Sequence, residues 1–147
     1  MRKRNMLSTI LGFIVLAVLA AGGYVFFKDL DGPQVVVQPQ TGRVSPASVI
    51  KIAMKDASGI RAVTVGVRKN NTLNTIFSKH FEKYLPERTV EVPLAGANLH
   101  EGAFDLEIRA TDGSLAGFGQ GNTRTVQMAM RLDTQPPRIS VKTLPPN

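Results

Sequence analysis

The sequence predicts an all-β fold, an Ig-like antiparallel β-sandwich, preceded by one N-terminal transmembrane helix. Three observations predict it. Met6 to Phe27 is a run of 22 residues without a charge. Beyond it, six segments alternate apolar and polar residues, with turn signals at intervals of roughly ten to twenty residues. The stretch from Asp31 to Asp133 is 103 residues long, close to the ~100 of an immunoglobulin-like sandwich.

The apolar run comes first. At 1.5 Å per residue, 22 residues of helix span roughly 33 Å, enough for a hydrocarbon core of about 30 Å. Twelve of the 22 are Leu, Ile, Val or Phe, and together they favour insertion by roughly 4–7 kcal/mol. Arg2, Lys3 and Arg4 precede the run, and the positive-inside rule keeps residues 1–5 in the cytoplasm and exports the chain after Lys28. A cleaved signal peptide is the competing reading, with Val18-Leu19-Ala20 as a passable cleavage site. The run continues through Tyr24-Val25-Phe26-Phe27, beyond the 7–15 residues usual for a signal peptide, and this favours an anchor over residues 6–27.

The strands follow. Gln34 to Gln38 is a β-branched run between Pro33 and Pro39, which reads as an edge strand. From Ser48 to Lys55, Ile50, Ile52 and Met54 alternate with Lys51, Ala53 and Lys55. Asp56-Ala57-Ser58-Gly59 reads as a turn by composition. Ile60 to Arg68 places Val63, Val65 and Val67 on one face, and Arg88 to Leu94 does the same with Val90, Val92 and Leu94. From Ala103 to Asp112, Phe104, Leu106, Ile108 and Ala110 point inward while Asp105, Glu107, Arg109 and Thr111 point to water. Arg124 to Asp133 closes the set with Val126, Met128, Met130 and Leu132 inward. One segment is ambiguous. Leu73, Ile76, Phe77, Phe81, Tyr84 and Leu85 recur at helical spacing, whereas Thr72, Thr75 and Ile76 favour a strand. The expectation is a strand to about His80, then an irregular stretch to Pro86, with a short helix as the alternative.

Asp31-Gly32-Pro33 followed by a β-branched strand has an echo in Asp133-Thr134-Gln135-Pro136-Pro137-Arg138-Ile139-Ser140-Val141. A repeat at domain period indicates tandem modules. Residues 134–147 therefore read as a proline-rich linker and the first strand of a second, truncated module. A proline-rich tail pairing with nothing is the alternative.

Composition narrows the chemistry. Cysteine is absent, which excludes disulfides, thiolate metal sites and a cysteine nucleophile. The net charge is +7 with a pI near 10.2. Three of those charges precede the apolar run, so from Lys28 onward the balance is 15 minus 11, or +4. Basic residues alternate with acids on outward strand faces, a solvated surface, and no nucleic-acid partner is expected. The two histidines, His80 and His100, lie far apart in sequence and read as surface residues. The glycines at 113, 117, 119 and 121 suggest a phosphate cradle, but such a loop needs a helix start after it, and Arg124-Thr125-Val126 is a strand pattern. They read as a loop between the last two strands, with Phe118 tucked in. No Gly-x-Ser-x-Gly elbow occurs. No catalytic, cofactor-binding or metal-ligating residue is assigned, and no cofactor is expected.

The order of parts carries a resemblance. An anchor precedes Asp56-Ala57-Ser58-Gly59-Ile60, Leu99-His100-Glu101-Gly102-Ala103-Phe104, Ala110-Thr111-Asp112-Gly113, the glycine-rich Gly117-Phe118-Gly119-Gln120-Gly121-Asn122, and Asp133-Thr134-Gln135-Pro136-Pro137. This resembles the N-terminal region of bacterial lysostaphin-type zinc metallopeptidases, the murein endopeptidases, in which Ig-like modules precede a C-terminal peptidase domain. That family's His-x-x-x-Asp and His-x-His motifs are not in this chain, since Tyr84 follows His80 at plus four and Phe104 follows His100. The resemblance thus implies no enzyme activity in the residues present. It implies a non-catalytic anchor and Ig-like spacer of a cell-wall endopeptidase, in the bacterial inner membrane, with its sandwich (residues 31–133) in the periplasm. The lipid bilayer through residues 6–27, and peptidoglycan or an envelope protein, are the candidate partners. The alternative is a self-sufficient membrane-anchored Ig-like module that binds an envelope protein.

Overall fold

The computed structural model describes residues 2–27, 29–40, 42–69 and 71–135, with side chains from Met6 onward. The basic side chains of Arg2, Lys3 and Arg4, and the expected second-module strand beyond Gln135, lie outside the described residues.

Helix α1 (Arg2–Phe27) contains the uncharged run Met6–Phe27, and none of its apolar window is buried inside the protein. A helix apolar on every side gains nothing by facing water, and this one is long and apolar enough to cross a membrane.

The rest of the described residues form an Ig-like sandwich. Its strands are β1 (Gln34–Gln38), β2 (Arg43–Val44), β3 (Val49–Lys69), β4 (Thr72–Pro93), β5 (Gly102–Asp112) and β6 (Thr123–Leu132). Strands β3 and β4 are each long enough to serve both layers. In the first layer, residues 51–55 of β3 pair with β1, and residues 49–55 pair antiparallel with 87–93 of β4. In the second layer, residues 60–69 of β3 pair with 72–85 of β4 on one side, and residues 60–68 pair with β5 on the other. Strand β5 pairs with β6, and β6 takes β2 in parallel. Relabelled in immunoglobulin order, the first layer is A-B-E, and the second is G-F-C with an added C′. Sandwich corners are made by strands that change layer through bends or bulges. Here the register shifts between Lys55 and Ile60, and again between Ile60 and Ala62.

Two local expectations change accordingly. Asp56-Ala57-Ser58-Gly59 does not reverse the chain. It is the bulged corner through which β3 passes from one layer to the other, with Gly59 at φ +80° beneath Tyr84. The segment after His80 is not irregular, because β4 runs through Pro86 to Pro93 as the matching corner. Pro86 falls between the paired residues Leu85 and Glu87, where the lost N–H costs no ladder bond. The Arg88 guanidinium lies 4.7 Å from the centroid of buried Phe81 and donates to the Lys83 carbonyl at 2.8 Å, so the corner closes on itself.

The core forms between the layers from the alternating positions. Ile50, Ile52, Met54, Val90 and Val92 of the first layer meet Val63, Val65, Leu106, Ile108 and Leu132 of the second. Val126 and Met128, nearer the start of β6, are only half-buried.

Candidate functional site at the helix-proximal end

Strand β5 ends in Asp112, and the glycine-rich segment 113–122 connects it to β6. Asp112 is wholly buried. Its Oδ1 accepts the Ser114 N–H at 3.0 Å, the Ser114 hydroxyl at 2.7 Å and the Asn122 N–H at 2.8 Å, while Oδ2 accepts from Asn122 Nδ2 at 3.0 Å. The N–H groups of this loop therefore do serve an anion, but that anion is the protein's own carboxylate. Gly113 and Gly121 permit this closeness. A Cβ at Gly113 would meet the Tyr84 ring and the Ser58 carbonyl, and one at Gly121, where φ is +80°, would meet Asp112 itself.

The same knot holds the segment leaving α1. Asn122 Nδ2 lies 3.1 Å from the Asp29 carbonyl and 3.3 Å from that of Asp31, as well as 3.1 Å from Ser114 Oγ. An amide has two hydrogens, so these acceptors share them. Ser58 donates its hydroxyl to Asp29 and its N–H to Asp56 Oδ1 at 2.8 Å. Carboxylate oxygens of Asp29, Asp56 and Asp112 come within 4.8 Å of one another. Burial pushes the Asp56 carboxyl above its ordinary range, against the lowering effect of the Ser58 N–H, and the Asp112 and Asp29 charges add to the rise. Among the described residues these three carboxylates are the group close enough together that it could hold a metal ion, with hard oxygen donors of the kind calcium takes. Each of them also accepts a hydrogen bond from the protein, so their evident work is to join the corner of β3, the end of β5 and the exit of α1.

At the tip, Ala116–Gly119 forms one helical turn whose middle residues, Gly117 and Phe118, are left-handed at φ 58° and 59°. Phe118 is 96% exposed, not tucked in, and its ring centroid lies 5.7 Å from that of Phe26 in α1. The Arg61 guanidinium fixes the turn by donating to the Gly119 carbonyl at 2.6 Å.

A second polar group sits on the outer face of the second layer. Glu107, expected to face water, is only 2% exposed. Arg68 Nη2 donates to its Oε2 at 2.6 Å, Arg109 Nε to Oε1 at 2.8 Å and Gln127 Nε2 to Oε2 at 3.1 Å. Alternation does turn the carboxylate outward, but long side chains from β3, β5 and β6 close over it. The Arg68 hydrogen bond, and then the Arg109 pair, hold its carboxyl below the usual range against the loss of water.

The two histidines are not brought together. His80, exposed, pairs at the level of Ala62 near the α1 end, with Nδ1 3.2 Å from the Phe81 carbonyl. His100, also exposed, precedes Gly102, which pairs with Leu132 at the opposite end. The knot itself was missed in the sequence, although two Asp-x-Ser turns, Asp56-Ala57-Ser58 and Asp112-Gly113-Ser114, mark it.

No family model and no curated protein matches the chain. Among solved structures it is similar to one of murine CRIg, at 12% identity and a TM-score of 0.38, covering 72% of this chain and 100% of that one. The Ig-like assignment stands on the strand pairing described above.

Proposed function

We propose that the chain is a single-pass membrane anchor carrying an Ig-like spacer, without catalytic residues of its own, that holds a further part of a cell-envelope protein at a set height above the bilayer. One observation carries this reading. The chain enters the sandwich at one end and leaves it at the other. On entry, Gly32 packs on Thr123 and Arg124 at the start of β6. Strand β6 then runs ten residues, about 30 Å at the rise of a strand. On leaving, the Asp133 N–H donates to the Val44 carbonyl at 2.9 Å and the Thr134 hydroxyl to Glu101 at 2.7 Å, so the exit direction is tied to the domain.

A rigid spacer raises the local concentration of what it carries near a surface-bound target without chemistry of its own. The resemblance to murein endopeptidases supports peptidoglycan as that target and a zinc peptidase domain as the cargo. The basic residues Arg2, Lys3 and Arg4 support a cytoplasmic N-terminus and a periplasmic sandwich.

The test is alkaline phosphatase, active only outside the cytoplasm, fused after Asn147 of the full chain. Activity that pellets with carbonate-washed inner membranes is expected. An inactive fusion, or activity released in soluble form, overturns the anchored, exported arrangement. For the peptidase link, the reading frame beyond Asn147 is expected to encode further strands and then His-x-x-x-Asp and His-x-His. A stop codon there overturns it.

A further inference from the structure

We propose that Phe118, together with Leu115 and Leu30, is a second membrane anchor, which seats the helix-proximal end of the sandwich in the headgroup layer of the bilayer that α1 crosses. The inference rests on the reading of α1 as a membrane span.

Exposed apolar side chains are not spread evenly over the sandwich. Outside α1, seven large hydrophobic residues are exposed among the described residues: Leu30, Val36, Val49, Tyr84, Leu85, Leu115 and Phe118. Five of them sit at the α1 end. Leu30 lies in the connection itself, Tyr84 packs on Gly59 and Gly113, Leu85 pairs with Ile60, and Leu115 and Phe118 are in the glycine-rich loop. Exposed apolar residues gathered at one end in this way mark a surface that meets another apolar phase.

The occupant is fixed by continuity with the span. Phe118 lies 5.7 Å, ring to ring, from Phe26, and Phe26 belongs to the last turn of the segment Met6–Phe27. A bilayer core of about 30 Å widens to about 40–45 Å with its headgroups. A ring level with the last turn of a full-length span therefore lies at the boundary between acyl chains and headgroups. Aromatic side chains concentrate at that depth. The connection keeps the sandwich close to the end of the span. Residues 28–33 are six residues between the end of α1 and the start of β1, at most about 20 Å of extended chain. Asn122 further holds the carbonyls of Asp29 and Asp31 against the sandwich.

The loop is shaped to present the ring. Phe118 adopts φ +59° between Gly117 at +58° and Gly119 at +86°, a conformation that bulky residues rarely take. The Arg61 bond to the Gly119 carbonyl keeps the tip from folding back. Inside the domain this arrangement buries nothing, and against lipid it buries a whole aromatic ring.

The chain contains no tryptophan, so each substitution Xaa→Trp creates a sole fluorophore. The full chain is reconstituted in phosphatidylcholine vesicles with and without brominated acyl chains. Phe118→Trp and Leu115→Trp are expected to emit to the blue of free tryptophan and to lose most of their intensity in brominated lipid. Val49→Trp, at the far end, is expected to emit as in water and to be unquenched. Leu16→Trp, at the middle of α1, reports the span. Quenching at Leu16→Trp with water-like, unquenched emission at both loop positions overturns the second anchor alone. No quenching at Leu16→Trp overturns the span and the second anchor with it.

Discussion

The side chain of Asn122 donates to the backbone carbonyl of Asp29 at 3.1 Å, joining the loop before the last strand to the second residue after the helix. Through this contact the anchor and the sandwich share one joint, and the same amide also reaches Asp112.

Replacing Asn122 by Ala removes the joint. The expected loss is about 1–2 kcal/mol of stability, in keeping with hydrogen bonds to neutral and charged acceptors. Amide exchange over residues 29–33 should quicken more than exchange over β5. Hydrogen exchange of the full chain in detergent micelles reads both.

Asp112→Ala should cost more, about 2–4 kcal/mol, because the Ser114 and Asn122 N–H groups lose their buried acceptor together. Asp112→Asn is expected to recover only part of it. Its Oδ1 still accepts, but its new amide group faces the amide of Asn122. Thermal unfolding in micelles, followed by circular dichroism, orders the three chains.

Glu107 gives a pH dependence of one sign. Its folded value lies below the unfolded one, so its contribution is whole above the ordinary carboxylate range and disappears as pH falls through the folded value. Glu107→Gln should lower the melting temperature at neutral pH. The gap between variant and native chain should narrow on acidification.

Asp56 gives the opposite sign. Its folded value is raised, chiefly by burial, so the native state holds more protons through the carboxylate range and stability falls as pH rises through it. Asp56→Asn keeps an acceptor for the Ser58 N–H. It should melt higher than the native chain at neutral pH and at the same temperature once both are in acid below that range.

Position within the sandwich decides the cost of losing a methyl group or more. Ile108→Ala, at a wholly buried site of β5, should cost about 2–5 kcal/mol. Val36→Ala, half-exposed on the edge strand β1, should cost about 0.5 kcal/mol or less. Denaturant midpoints measured on the two variants separate these values.

The sequence by itself determined the uncharged span, the β class and the inward face of most strands. These features are local. A run of 22 uncharged residues needs no partner to be recognised, and the inward positions Ile50, Ile52, Val63, Val65, Leu106 and Ile108 follow from the two-residue period of a strand. Only the tertiary structure decided that Asp56–Gly59 is a corner and not a reversal, because β3 continues only by finding new partners, Leu85 of β4 and Asp112 of β5, for Ile60. It also decided that Glu107 is covered, by Arg68 and Gln127 on neighbouring strands, and that Asp112 is the hub of a loop that reaches back to Asp29. Those outcomes depend on residues 20 to 93 positions apart in the chain. A periodic pattern records which way each side chain points, whereas what lies above it is set by the packing of other segments.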